Sequence, residues 1–397
     1  MLTFSLGAHA ADMTITAEFK PTAFDPTRTE FTNTTPKSGY CAVHPAYCPN
    51  GRFSIFLPIG AVRYGAIASN AADEDAVQLR VPSEFREVEV QNQTSGERAT
   101  VKFRVSAFST TYNVSTITVI QSQAEHAKLW DTGTWVYAPP PCGGSGLSSL
   151  GQGAYMFMWY TPPAVQRLGC TKKPTRDLAP GELTMLAPRM SIGYELVAPD
   201  PLRMQNGVYR GSLRYTVGAG GDFSFGTSAS TAKSQIDIDF ELTVKHDFQL
   251  VLPVEDRTAV LEPPSGWGAW LAGGEAPPAL RRDKGFQISV GAPFTVTLSC
   301  ASAMGDRCLL SNSAGSRVPY GVFLTIPGII TASGDSAARL ELLPDKVRRL
   351  RPAVGYVNGV QARLHVEAGG DSVREMVKYP GTRYSDVFTM TFDVQTN

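Results

Sequence analysis

Ser230-Thr231-Ala232-Lys233 has the S-x-x-K spacing of a serine nucleophile with a lysine base. That chemistry needs the serine at the start of a buried helix. Here the motif lies in a polar Ser/Thr-rich stretch, so we read the match as chance. Asp237 and Asp239 fall on one face of an alternating segment. Paired carboxylates can share acid and base work, but the polar face of a solvated strand is the default explanation. The five histidines (His9, His44, His126, His246, His365) are scattered. They form no H-E-x-x-H and no i, i+4 pair, and G-x-S-x-G, P-loop and G-x-G-x-x-G patterns are missing. Six cysteines stand as Cys41/Cys48, Cys142/Cys170 and Cys300/Cys308, separated by 7, 28 and 8 residues. Structural zinc wants C-x₂₋₄-C pairs with further ligands nearby, and these spacings do not fit. The expectation is disulfides at all six, no metal and no cofactor. Six cysteines allow fifteen connectivities. Local pairing is the simplest, and the sequence does not choose. No enzyme is expected.

The elements that would position such residues are strands. Met13–Phe19, Val101–Val105, Ile236–Leu242 and Phe388–Val394 each alternate apolar with polar residues, the pattern of strands with one face buried. Gly218-Ala219-Gly220-Gly221, Asn206-Gly207, Pro139-Pro140-Pro141 and Gly369-Gly370 punctuate them. Sustained helical periodicity is missing, with room for one short turn in 335–351. The fold class is all-β, as two immunoglobulin-like sandwiches in tandem.

A length of 397 residues suits two or three domains. We expect a domain over 11–245, a short linker at 246–248 and a second domain over 249–397, with the Pro/Gly-rich stretch 262–278 as a loop of the latter. Lys plus Arg and Asp plus Glu both number 36, and 18% of residues are charged, which argues against a nucleic-acid partner. No apolar run approaches the length of a membrane-spanning helix. Residues 2–10 end in Ala8-His9-Ala10, which resembles an h-region and an A-x-A cleavage site. Residues 1–10 are therefore expected to be the remnant of a signal peptide, with a mature start near Ala11 in an oxidising space.

Six strands are expected after residue 247: 248–253, 286–300, 320–326, 338–343, 359–367 and 386–394. A complete immunoglobulin-like sandwich needs seven or more. A missing strand leaves unpaired backbone on a sheet edge and an apolar groove into the core. Four to five uncovered side chains at ~1.5–3 kcal/mol each would cost much of a domain's net stability, so the groove would invite a strand from elsewhere. Alternatively, 286–300 is two strands and the sandwich is closed. Two basic clusters, Arg281-Arg282 and Lys346–Arg351, read as solvated loop charge. The run Tyr155-Met156-Phe157-Met158-Trp159-Tyr160 is too continuous for a half-exposed strand and reads as core. Trp267 and Trp270 lie in a loop and either stack on a ligand or pack on the sheet.

The stretch from Tyr379 to Phe392 resembles the end of chaperone–usher pilus subunits. Gly207–Val217, a variable loop, Ile236–Val244 and Gln249-Leu250-Val251-Leu252-Pro253 look like the domain junction of the class 5 fimbrial tip adhesins and cable-pilus initiators. The resemblance runs from about Cys142 onward. It implies an N-terminal adhesin domain for a host-cell glycan or protein receptor, and a C-terminal pilin domain lacking its final strand. A periplasmic pilus chaperone would fill the groove, an outer-membrane usher would exchange the chaperone, and the N-terminal donor strand of the adjacent major pilin would replace it. The chain would then initiate the pilus and sit extracellularly at its tip, having passed through the periplasm. Groove residues would be Leu250, Leu252, Phe388, Met390, Phe392 and Val394. Gly51-Arg52-Phe53-Ser54-Ile55 is similar to the family's receptor-arginine segment, which marks Arg52. The family's further arginine pair is replaced here by Gly218-Ala219-Gly220. Met13–Phe19 looks like a donor strand, with the domain's own first strand as the other reading. The alternative function is a minor adaptor or repeating pilin without receptor binding.

Overall fold

The computed structural model describes residues 11–20, 30–48, 52–117, 122–151, 154–253 and 258–394. The expected leader, 1–10, lies outside them. Strands dominate, and no helix among the described residues exceeds the 8 residues of Ser122–Leu129. The fold is all-β. By contacts the chain divides into two compact units. One holds Glu30–Pro199, Val208–Thr243 and the chain up to Glu18. The other holds Phe19, Asp200–Gly207 and everything from Val244 onward.

The first unit is built on a 13-stranded sheet with a separate two-stranded pair. Its organiser is the 17-residue strand Arg98–Val114. The first half pairs with Arg86–Asn92 and Ser191–Val197, and the second half with Ala154–Tyr160 and Leu183–Met185. A register shift at Gly193/Tyr194 bends the pairing, as bulges do where one strand serves two layers. The aromatic run on Ala154–Tyr160 is core. Tyr155, Phe157, Met158 and Trp159 are all at most 2% exposed. Trp159 stacks on Trp135 at 5.2 Å, and its Nε1 donates to the Trp135 carbonyl at 2.6 Å. Met13–Phe19 lies in this sheet between Gln235–Val244 and Thr32–Asn33, with Met13, Ile15, Ala17 and Phe19 buried.

The second unit packs a seven-stranded sheet against a four-stranded one around a single core. Eleven strands are described in it, so the expectation of six is corrected. Residues 286–300 are two strands, Ala279–Val290 and Phe294–Cys300, parted at Gly291. A β-carbon at Gly291 would sit 2.5 Å from the His246 ring, so the break occurs where another segment crosses closely. The possible helical turn in 335–351 is instead Leu340–Leu342 and Arg348–Pro352. Arg281-Arg282 and the Arg348–Arg351 part of the other basic cluster lie on strands rather than loops, with Lys346 just ahead of the second strand. Arginine-rich segments give little strand signal, and pairing of Arg348–Leu350 with Phe294–Val296 and of Arg281-Arg282 with Val366-Glu367 overrides their weak propensity.

Asp200–Gly207 joins this unit through a main-chain bond and a bond to the Asn206 side chain. Asn206 N donates to the Gly291 carbonyl at 3.0 Å, and His246 N donates to Asn206 Oδ1 at 2.8 Å. The His246 ring stacks flat on Tyr356 at 4.0 Å, with Nε2 3.0 Å from the Met204 carbonyl. Burial lowers its pKa below the ordinary histidine value.

Candidate functional site

The residues that suggested chemistry are not assembled into a reacting site. Ser230 Oγ donates to the Arg63 carbonyl, whereas the Lys233 ammonium pairs with Asp12. Asp237 takes a two-point ion pair from Arg214 at 2.6 and 3.0 Å. The cysteines form three local disulfides, Cys41–Cys48, Cys142–Cys170 and Cys300–Cys308.

Arg52 is exposed at the start of Phe53–Phe56, and its guanidinium lies over the Tyr160 ring at 4.5 Å. Beside it the Cys41–Cys48 loop is fastened from below. Tyr40 and Cys41 are buried against Ala107, Leu147 and Met158. The same loop carries Val43, 68% exposed, and His44 set edge-on to Tyr47. A disulfide-tied loop next to a stacked arginine, with Lys37 over the adjacent Phe53 ring at 5.8 Å, is a cationic surface suited to an anionic or aromatic ligand group.

The second unit carries a groove of about 1490 Å³. Small-molecule sites run to roughly 300–1,000 Å³, so this one is large enough for a length of chain. One wall is the strand Phe388–Val394, which ends the four-stranded sheet. The other begins at Gln249–Val251, which ends the seven-stranded sheet. Among the described residues, neither outer edge pairs with another strand. The floor is the inner face of the seven-stranded sheet, with Phe286, Leu364, Val366 and Tyr320.

Register shows what the open edge offers. Cys300 opposes Phe388, and Ala301 N donates to the Val387 carbonyl at 2.8 Å. Bonded pairs alternate along an antiparallel ladder. Thr389, Thr391 and Asp393 therefore spend their main-chain groups on Phe294–Cys300. The amides and carbonyls of Phe388, Met390, Phe392 and Val394 face the other way, along the open edge. The same four side chains point inward yet remain half-buried. Phe392 touches Phe248, Phe286 and Phe294 at ring distances of 6.1–6.4 Å, and Phe388 meets Tyr320 at 6.4 Å. The Tyr320 hydroxyl donates to Asp386 at 2.7 Å. Burial first, and then the Asp386 carboxylate, push its pKa above the ordinary phenol value.

Of the residues singled out from sequence, Leu250, Leu252, Phe388, Met390 and Phe392 line this groove. Val394 packs half-buried against the core at the strand's far end and is outside the lining. The floor residues Phe286, Tyr320, Leu364 and Val366 escaped the reading. Their alternation was visible, but which sheet face lacked cover was not.

No family model matches the sequence, and no curated protein matches it. Among solved structures, it is similar to a point mutant of CfaE, the CFA/I adhesin of enterotoxigenic Escherichia coli. That match has 9% identity and a TM-score of 0.35, covering 97% of this chain and 92% of that one. A chaperone–tip adhesin complex of CFA/I fimbriae matches at 9% identity and TM-score 0.27, covering 87% and 91%. The CsuC–CsuE chaperone–tip subunit pre-assembly complex, from archaic chaperone–usher Csu pili of Acinetobacter baumannii, matches at 11% and 0.25, covering 96% and 99%. At these scores the likeness bears no weight for function, and the groove bears it instead.

Proposed function

We propose that this chain is a chaperone–usher pilus tip subunit whose second unit accepts a strand from another chain and whose first unit adheres to a host receptor. One observation carries the reading. Two sheet edges flank an apolar groove, and the residues with unspent main-chain groups on one edge are also those with half-covered apolar side chains. An extended segment with apolar residues at alternate positions satisfies both at once, which is recognition by strand addition. A periplasmic chaperone would supply that segment first. At an outer-membrane usher, the donor strand of the next pilin would replace it. The pairing of Met13–Phe19 within the first unit's sheet weighs against the adaptor or repeating-pilin alternative, which needs that segment loose. Arg52, stacked and exposed, is the residue we assign to the receptor, a host-cell glycan or protein. The chain would act outside the cell after passing through the periplasm.

The test is thermal melting of the full chain with a synthetic peptide of alternating apolar residues. A midpoint that rises with peptide concentration supports the reading. A midpoint unmoved at saturating peptide overturns it. Copurification of a small periplasmic chaperone is the second expected result.

A further inference from the structure

We propose that the Phe388 end of the groove is an anchor site for a bulky aromatic side chain with a carboxylate beside it, carried by the occupant just past its extended stretch. The inference rests on the strand-accepting reading above and names what the occupant must carry.

Register places this end. Ala279 opposes Gly369, Leu280 opposes Ala368, and Gly321 opposes Glu367. Tyr320, which bonds Asp386 just ahead of Phe388, therefore lies beside the start of Ala279–Val290 and the end of Val357–Gly369. The segment 262–278 leaves and returns at the same place. Glu262 and Arg281 exchange two main-chain bonds, at 3.2 and 2.8 Å, and the segment then runs back into Ala279. Its single-turn helix, Gly268–Leu271, carries Trp270 and follows Trp267 directly. Both tryptophans line the groove, together with Met376 of the helix Gly370–Met376. The lining thus continues past Phe388, while at the other end Phe392 is already packed among Phe248, Phe286 and Phe294.

A strand laid along Phe388–Val394 covers about 20 Å at the usual rise per residue. That length leaves the tryptophan end uncovered. Large apolar side chains are conspicuously exposed there. Trp267 is 38% exposed, Val260 58%, Val387 71% and Leu271 80%. Clustered exposure of this kind marks an interaction surface. An aromatic ring suits a wall made of indoles. Charge selects its neighbour. The lining holds Arg383 beside one carboxylate, Asp386, which already accepts from Tyr320. Arg383 is exposed and has no ion-pair partner among the described residues, so an incoming carboxylate finds a donor there.

The experiment uses the full chain and labelled synthetic peptides sharing one alternating Val/Phe stretch. They carry a dipeptide tag, Ser-Asn, Tyr-Asp or Tyr-Lys, and each tag is placed at either terminus. Affinity is read by fluorescence anisotropy. Tryptophan emission is a second readout, since Trp130, Trp135 and Trp159 are at most 2% exposed, all in the first unit. At one terminus, the Tyr-Asp peptide is expected to bind at least ten-fold tighter than the Ser-Asn peptide and to shift the emission. W267A/W270A brings the Tyr-Asp and Ser-Asn affinities to within about two-fold of each other, and R383Q abolishes the preference for Asp over Lys. W267L/W270L repeats the test should circular dichroism show the alanine variant unfolded. The anchor proposal is overturned if Tyr-Asp and Ser-Asn peptides bind alike, if the tryptophan variants weaken all peptides equally, or if R383Q leaves the Asp preference intact. Failure of every peptide to bind the wild type overturns the strand-accepting reading itself, and this inference with it.

Discussion

Gln235–Val244 and Phe388–Val394 are written in the same code. Each alternates apolar and polar residues, and each turns its apolar side to a core. In the first, Ile236, Ile238, Phe240, Leu242 and Val244 are all at most 1% exposed. In the second, Phe388, Met390, Phe392 and Val394 are only half-buried. The difference lies in the neighbours. Gln235–Val244 is flanked on both sides by strands of its sheet, whereas among the described residues Phe388–Val394 is flanked on one. Alternation thus reports which face is apolar and says nothing of whether that face is covered.

Truncation tests the comparison most severely. Phe240→Ala should cost about 3–5 kcal/mol, the usual range for emptying a packed aromatic site. Phe392→Ala should cost about 1–2 kcal/mol in the lone chain, because half of its contacts are not yet made, and should approach the larger range once the groove is occupied. Equal costs in urea melts of the lone chain would erase the distinction.

Filling the groove comes next. A peptide held at a hundred times its dissociation constant should stabilise the chain by about 2.7 kcal/mol if it binds only the folded state. Phe392→Ala should reduce that gain and Phe240→Ala should not, as read by calorimetry of both variants with and without peptide.

Acid should separate the two units. Glu182 in the first unit accepts from Arg176, Thr116 and the Ala179 amide, and the Arg176 bond leads in holding its pKa at about 2 against an ordinary 4.5. Its folded pKa is depressed, so its contribution is complete above pH 4.5. Because the Arg176 partner is half exposed and the pair is screened by solvent, about 1–2 kcal/mol is then lost as the pH falls towards 2. His246 in the second unit is a base held neutral by burial, its pKa below the ordinary 6.5. The unfolded chain binds the extra proton, so this contribution is complete above pH 6.5 and declines as the pH falls below it. Near-ultraviolet signals of the second unit should therefore weaken at a higher pH than those of the first. Glu182→Gln should flatten only the lower step.

The smallest effect on stability belongs to Arg52. Losing its stack on Tyr160 should cost no more than about 1 kcal/mol, while adhesion to a receptor-bearing cell should fall. Full adhesion of Arg52→Ala would remove this surface from the proposed function.

Much of this was legible in advance. Fold class followed from period-2 alternation at Met13–Phe19, Ile236–Leu242 and Phe388–Val394, because side-chain direction in a strand is fixed by geometry alone. The number of strands was not. Arg307–Ser311 and Arg348–Pro352 are short or rich in arginine and owe their conformation to the strands beside them. Even the open groove does not follow from counting. The second unit has more strands than a closed sandwich needs, yet two of its edges remain apart. Leu250, Leu252, Phe388, Met390 and Phe392 could be named from the family resemblance; they lie on the strands bounding the gap, or in the case of Leu252 directly after one. Phe286 and Tyr320 could not, since a floor is defined by what lies on top of it. The tryptophan pair was visible as an oddity at Gly-Trp-Gly-Ala-Trp, and only register showed which end of the groove it borders.

On the edge of Phe388–Val394, one set of residues presents both its side chains and its main-chain groups to the opening. Sliding a guest by a single residue would turn its apolar side outward. It must travel two residues, about 6.6–6.8 Å, before every contact can form again. Admission is therefore quantised, like a key that seats only at whole notches, and a sequence one residue out of phase is refused however greasy it is.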